Sequence, residues 1–125
     1  MTTRIVRPIH GVAAVGLAVL ALAPIAAART VAHASASTTV HVTEKEFSIK
    51  LSKTSLAKPA TVTFAVKNAG QTGHTFKING KATRVIQPGK SANLVVAFKK
   101  KGGYHYLCTV DDHAAMGMKG VFTVR

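Results

Sequence analysis

Acid is scarce in this chain: four carboxylate side chains (Glu44, Glu46, Asp111 and Asp112) stand against 17 lysines and arginines in 125 residues. The formal charge of +13 excludes an acidic surface and points to anionic partners. Cysteine is scarcer still, with Cys108 alone. One thiol closes no internal disulfide, and from so far downstream it carries no lipid anchor near the start of the chain. An inert buried thiol, an intermolecular bridge or a thiolate on a metal remain as its roles. Helical periodicity is missing from residue 38 onward, as are internal repeats and low-complexity tracts. The length leaves room for one compact working domain and not for two.

Arg4 and Arg7 precede an apolar run over residues 11–23, and small residues follow it. This is the anatomy of a secretion signal, so residues 1–36 are expected to be removed after Ala36, with Ala28 and Ala34 as the other candidate cuts. A retained anchor is the alternative, since a bilayer is spanned by ~20 apolar residues. Pro24 and the alanine-rich composition weaken it. The expected location is exported: periplasmic, extracytoplasmic or secreted. Without Arg4, Arg7 and Arg29 the 17 cations fall to 14, which against four acids leaves about +10. Nucleic acid is not expected as a partner, because the compartment disfavours it and the lysines are scattered. Acidic proteins or an anionic envelope surface fit the charge better.

From Thr38 the apolar residues alternate between turn signals, which predicts an all-β sandwich of about seven or eight strands over residues 37–125. The expected strands are 39–43, 47–51, 61–67, 74–78, 82–86, 92–98, 104–108 and 120–124. Asn79-Gly80 is the strongest hairpin signal. Lys99, Lys100 and Lys101 read as a solvated loop that discourages edge pairing. Alternation turns Tyr104, Tyr106 and Cys108 to the core and His105 outward. His41 also reads as a surface residue. Phe47, Phe64, Phe76, Phe98 and Phe122 fall on expected strands, where core packing is the ordinary role.

The segment Cys108-Thr-Val-Asp-Asp-His113-Ala-Ala-Met116-Gly-Met118 brings a thiolate, an imidazole and two thioethers within eleven residues. A strand ending at Cys108, followed by a tight loop, can fold His113 and a methionine back around one point. His74, opening a strand after a glycine-rich turn, can add a second imidazole. Two histidines and a cysteine with a weak axial methionine form the ligand set of a blue-copper site. Zinc is disfavoured, because thioether is a poor ligand for it and structural zinc recruits more cysteines.

On these residues the whole of 39–125 resembles the plastocyanin/azurin family of cupredoxins. The resemblance implies a Greek-key β-sandwich holding one mononuclear type 1 copper ion at one end, with His74, Cys108 and His113 as ligands and Met118 as the axial thioether. Met116 competes for that last place, but Gly117-Met118-Lys119-Gly120-Val121 has the family's form of an axial methionine leading into the final strand. Two departures stand out. Asp111-Asp112 replaces the proline common in relatives, which implies a modestly lowered reduction potential. Thr75 follows the first histidine where asparagine is common, and its hydroxyl is a candidate tie between the two ligand loops. By the same resemblance Tyr104 is a candidate tyrosine corner.

The function implied is one-electron transfer between redox proteins, with His113 as the electron's exit, an acidic docking surface on the partner, and a monomeric carrier. A copper storage or delivery module using the same ligands is the alternative. An enzyme is not expected, because a copper oxidase or reductase needs a further centre with open coordination.

Overall fold

A computed structural model describes residues 37–125, together with Gly11 and Gly16 upstream. The expected secretion signal and its cleavage site lie outside the described residues. Among the described residues nine strands form two sheets: β1 (Thr38–Lys45), β2 (Ser48–Leu51), β3 (Ser55–Leu56), β4 (Thr61–Asn68), β5 (Lys77–Ile78), β6 (Lys81–Ala82), β7 (Ser91–Ala97), β8 (Gly102–Leu107) and β9 (Lys119–Val124). The sheet orders are β2-β1-β4-β7 and β3-β9-β8-β5-β6. Pairing is antiparallel except for β1 with β4 and β3 with β9. The fold is the expected all-β sandwich, with one strand more than the upper estimate.

Alternation builds the core. Val40 and Val42 from β1, Val62, Phe64 and Val66 from β4, and Phe122 and Val124 from β9 all point inward and are buried. Phe64 sits at the centre, with ring centroids 5.1 Å from Phe76, 6.2 Å from Phe98 and 5.5 Å from Phe122. Tyr106 and Cys108 face inward, Tyr104 is half-buried, and His105 and His41 are exposed, as parity requires. The Tyr104 hydroxyl donates to the Lys100 carbonyl at 2.7 Å, the bond that defines a tyrosine corner. Lys99, Lys100 and Lys101 are exposed in the loop before β8. Asn79 and Gly80 both have positive φ, 49° and 73°, and join β5 to β6 in the tight hairpin their dipeptide predicts.

Three expectations about strands need correction. The segments 74–78 and 82–86 do not form continuous strands: only Lys77–Ile78 pairs with Lys81–Ala82, and an isolated bridge joins His74 to Ile86. Side chains have displaced the ladder there. The Phe76 amide donates to Thr83 Oγ1 at 3.0 Å, and the Thr75 amide points at Cys108 Sγ at 3.4 Å. Ser55–Leu56, too short to alternate, adds an unforeseen parallel strand beside β9. Phe47 lies in the turn after β1, 40% exposed, and is not a core residue.

Candidate metal centre

Four loops meet at one end of the sandwich: the turn after β1, the loop after β4, the loop before β7, and the loop between β8 and β9. Asn68, fully buried at the end of β4, organises two of them. Its amide donates to the carbonyls of Thr72 and Ile86, each at 2.7 Å, and its oxygen accepts from the Gly70 amide at 2.8 Å. The loop so held delivers His74, whose own backbone is clamped to Ile86 by bonds of 3.1 and 2.7 Å.

The other donors come from one tight loop. Residues 111–117 form consecutive turns closed by Met116 N to Asp112 O (3.1 Å) and Gly117 N to Ala114 O (3.2 Å). Asp111 takes a left-handed φ of 38° at the start of these turns. The Met118 amide donates to the His113 carbonyl and the Met118 carbonyl accepts from the Cys108 amide, both at 3.0 Å, so the ends of the loop are stitched together.

His74, Cys108 and His113 offer donor atoms that all lie within 4.8 Å of one another. The two Nδ1 atoms are 3.2 Å apart, and Cys108 Sγ is 3.7 Å from His113 Nδ1. First-row metal bonds of about 2.0 Å to nitrogen and about 2.3 Å to sulfur, at trigonal angles, separate nitrogens by about 3.5 Å and nitrogen from sulfur by about 3.7 Å. The cluster therefore fits one ion. Two like nitrogens and a sulfur facing one another in a buried site repel unless a proton or a cation stands between them. Two imidazoles, one thiolate and a buried methionine in the same loop are the donor set of a mononuclear copper site. Met118 is fully buried, whereas Met116 is 56% exposed.

Thr75 ties the ligand loops together, as the sequence suggested. Its hydroxyl lies 3.7 Å from Cys108 Sγ, accepts from the Thr109 amide at 2.7 Å, and pairs with the Thr109 hydroxyl at 2.8 Å. Two residues of the turn after β1 were not foreseen. Glu46 Oε1 lies 3.0 Å from His74 Nε2, and the Phe47 ring packs edge-on to His113 with centroids 5.2 Å apart. No motif links Glu46 to a histidine 28 residues away; only the turn brings them together. The Thr72 amide, with that of Gln71, holds the Glu46 carboxyl down at about 2. One rung deeper, Glu44 is fully buried with neither carboxylate oxygen hydrogen-bonded, and burial pushes it up to about 7.

Comparison with known proteins agrees with this fold. Residues 16–124 match the model of the cupredoxin-like domain family. Among solved structures, the dithionite-reduced auracyanin of the photosynthetic bacterium Roseiflexus castenholzii superposes with a TM-score of 0.64 at 24% identity, over 71% of this chain and 98% of that one. Auracyanin B superposes with a TM-score of 0.59 at 22% identity, over 70% of this chain and 88% of its own. No curated protein sequence matches. With the sandwich, the donor cluster and a family match over most of its length, the chain belongs to the cupredoxin-like family.

Proposed function

We propose that the protein is an exported one-electron carrier built around a single type 1 copper ion held by His74, Cys108 and His113, with Met118 as the axial ligand. Residues 1–36 act as a removable secretion signal and residues 37–125 as the copper-binding domain, working as a monomer. The observation that carries this reading is the convergence of one nitrogen from each of His74 and His113 with the Cys108 sulfur within 4.8 Å, the two Nδ1 atoms being 3.2 Å apart, at a buried point. When bound, copper supplies the one-electron couple. The chain supplies a cage that need not rearrange: backbone hydrogen bonds fix Cys108, His113 and Met118, and Asn68 fixes the loop before His74. The full burial of Met118 supports it over Met116 as the axial ligand.

His113 serves as the exit. It is 9% exposed, and around it lie Phe47, Ala114, Ala115 and Met116, all partly or fully open to solvent. An apolar rim of this size suits brief docking of a redox protein. No catalytic turnover is proposed, since the cluster is buried and an oxidase or reductase needs an open coordination position.

Absorption and electron-spin spectra of the copper-loaded protein test the reading. A strong blue band with reversible one-electron cycling is expected. His74→Ala should abolish the band, Met118→Ala should shift both spectrum and potential, and Met116→Ala should leave both unchanged. A colourless protein that yields copper readily to chelators would make it a storage or delivery module. A shift with Met116→Ala alone would reassign the axial ligand.

A further inference from the structure

The Glu46 carboxylate accepts more hydrogen bonds than a surface glutamate needs. Its Oε1 takes the Gln71 amide at 2.7 Å, the Thr72 amide at 2.7 Å and the Thr72 hydroxyl at 2.9 Å, and it also meets His74 Nε2 at 3.0 Å. An oxygen crowded by three N–H and O–H donors carries no proton, so the hydrogen between it and His74 belongs to the imidazole. The Nε2–H form of a neutral ring leaves its lone pair on Nδ1, the atom that faces His113 Nδ1 at 3.2 Å and completes the metal cluster. The pinned residues lie in the loop that leads directly into His74, so one carboxylate fixes both the ring and the backbone that carries it. Gly70 leaves the space this requires, since a Cβ there would run into the Glu46 carboxylate.

Resting on the copper reading above, we propose that Glu46 is the positioning residue of the site: it holds His74 in the Nε2–H tautomer, with Nδ1 aimed inward, before any metal arrives. The arrangement is a carboxylate–histidine–metal relay in which the outer carboxylate raises the basicity of the inner nitrogen. A more basic ligand favours Cu(II) over Cu(I), so Glu46 lowers the reduction potential. It acts through His74 and does not itself touch the metal. Its charge is separable from its shape, because glutamine keeps the length and an acceptor oxygen while losing the negative charge.

Two measurements test this. In the metal-free protein, nitrogen NMR of His74 should show one species, protonated at Nε2 and bare at Nδ1. In Glu46→Gln, Cu(II) affinity should fall by about 10–100-fold, the usual cost of losing such an outer partner. Each tenfold loss not matched for Cu(I) raises the potential by about 59 mV. A His74 ring that is protonated at Nδ1 or exchanges between tautomers overturns the proposal, as does a Glu46→Gln variant with unchanged Cu(II) affinity and potential. The NMR needs no copper, so a wild-type protein without a blue band would sink the electron-carrier reading while leaving the tautomer question answerable.

Discussion

Among the single residues, Glu44 carries the clearest thermodynamic consequence. It continues the inward row of β1 after Val40 and Val42, and its ladder neighbours, Ile49 on β2 and Asn68 on β4, are both uncharged. With neither oxygen bonded, the charged form has no compensation, and folding raises the pKa from 4.5 to about 7. Because the folded state holds this proton more tightly than the unfolded chain does, stability falls as pH rises between those values. The contribution is full below about 4.5, and its loss is nearly complete above about 7. At about 1.4 kcal/mol per pKa unit the span is of order 3 kcal/mol. Urea unfolding of the metal-free protein at pH 5 and pH 8 is expected to show that fall in wild type and a much flatter profile in Glu44→Gln. Equal slopes would mean that Glu44 finds a partner in solution.

Elements were legible from the sequence where alternation ran long enough to speak. β1, β4, β7 and β9 begin and end within two residues of their expected bounds, because each has three or more inward-facing positions in a row. β3 spans two residues and gives no pattern, and the strands expected around His74 and Ile86 are cut short by bonds to Thr83 and Cys108 that no local rule anticipates. The ligand loop was readable for the opposite reason, since its donors are crowded into one stretch. Glu46, Phe47 and Asn68 were not, because their roles exist only once distant turns meet. The same loop exposes a weak point at Gly117, whose φ is 125° and whose missing Cβ would lie 3.0 Å from the Phe47 carbonyl. Gly117→Ala is expected to cost about 1–3 kcal/mol through backbone strain. It should also push Phe47 away from His113, so the metal-loaded protein should lose more thermal stability than the metal-free one. Equal losses in the two states would confine the effect to the backbone.

Across the described domain, three of the four acids gather at one end, among lysines that are spread over both. The acids Glu46, Asp111 and Asp112 lie in the loops that form the metal cluster, close to the proposed exit at His113. The opposite end, where the ladders finish at Thr61 with Ala97 and at Gly102 with Val124, carries the exposed Lys53, Lys58, Lys99, Lys100, Lys101 and Arg125. On the proposed role, an acidic redox partner would be drawn in by the net positive field, yet meet two carboxylates beside the rim proposed for docking. Long-range attraction acts over about a Debye length, ~8 Å at physiological salt, and weakens as ions are added. The rate of electron transfer with an acidic partner is thus expected to fall as salt rises. Replacing Asp111 and Asp112 with asparagine should raise that rate at low salt and steepen its decline, because repulsion at the docking site is removed while the attracting field grows. Stopped-flow rates for both proteins across a salt series decide the matter. A rate that ignores salt removes the steering, and a slower variant would show that the two aspartates contact the partner favourably.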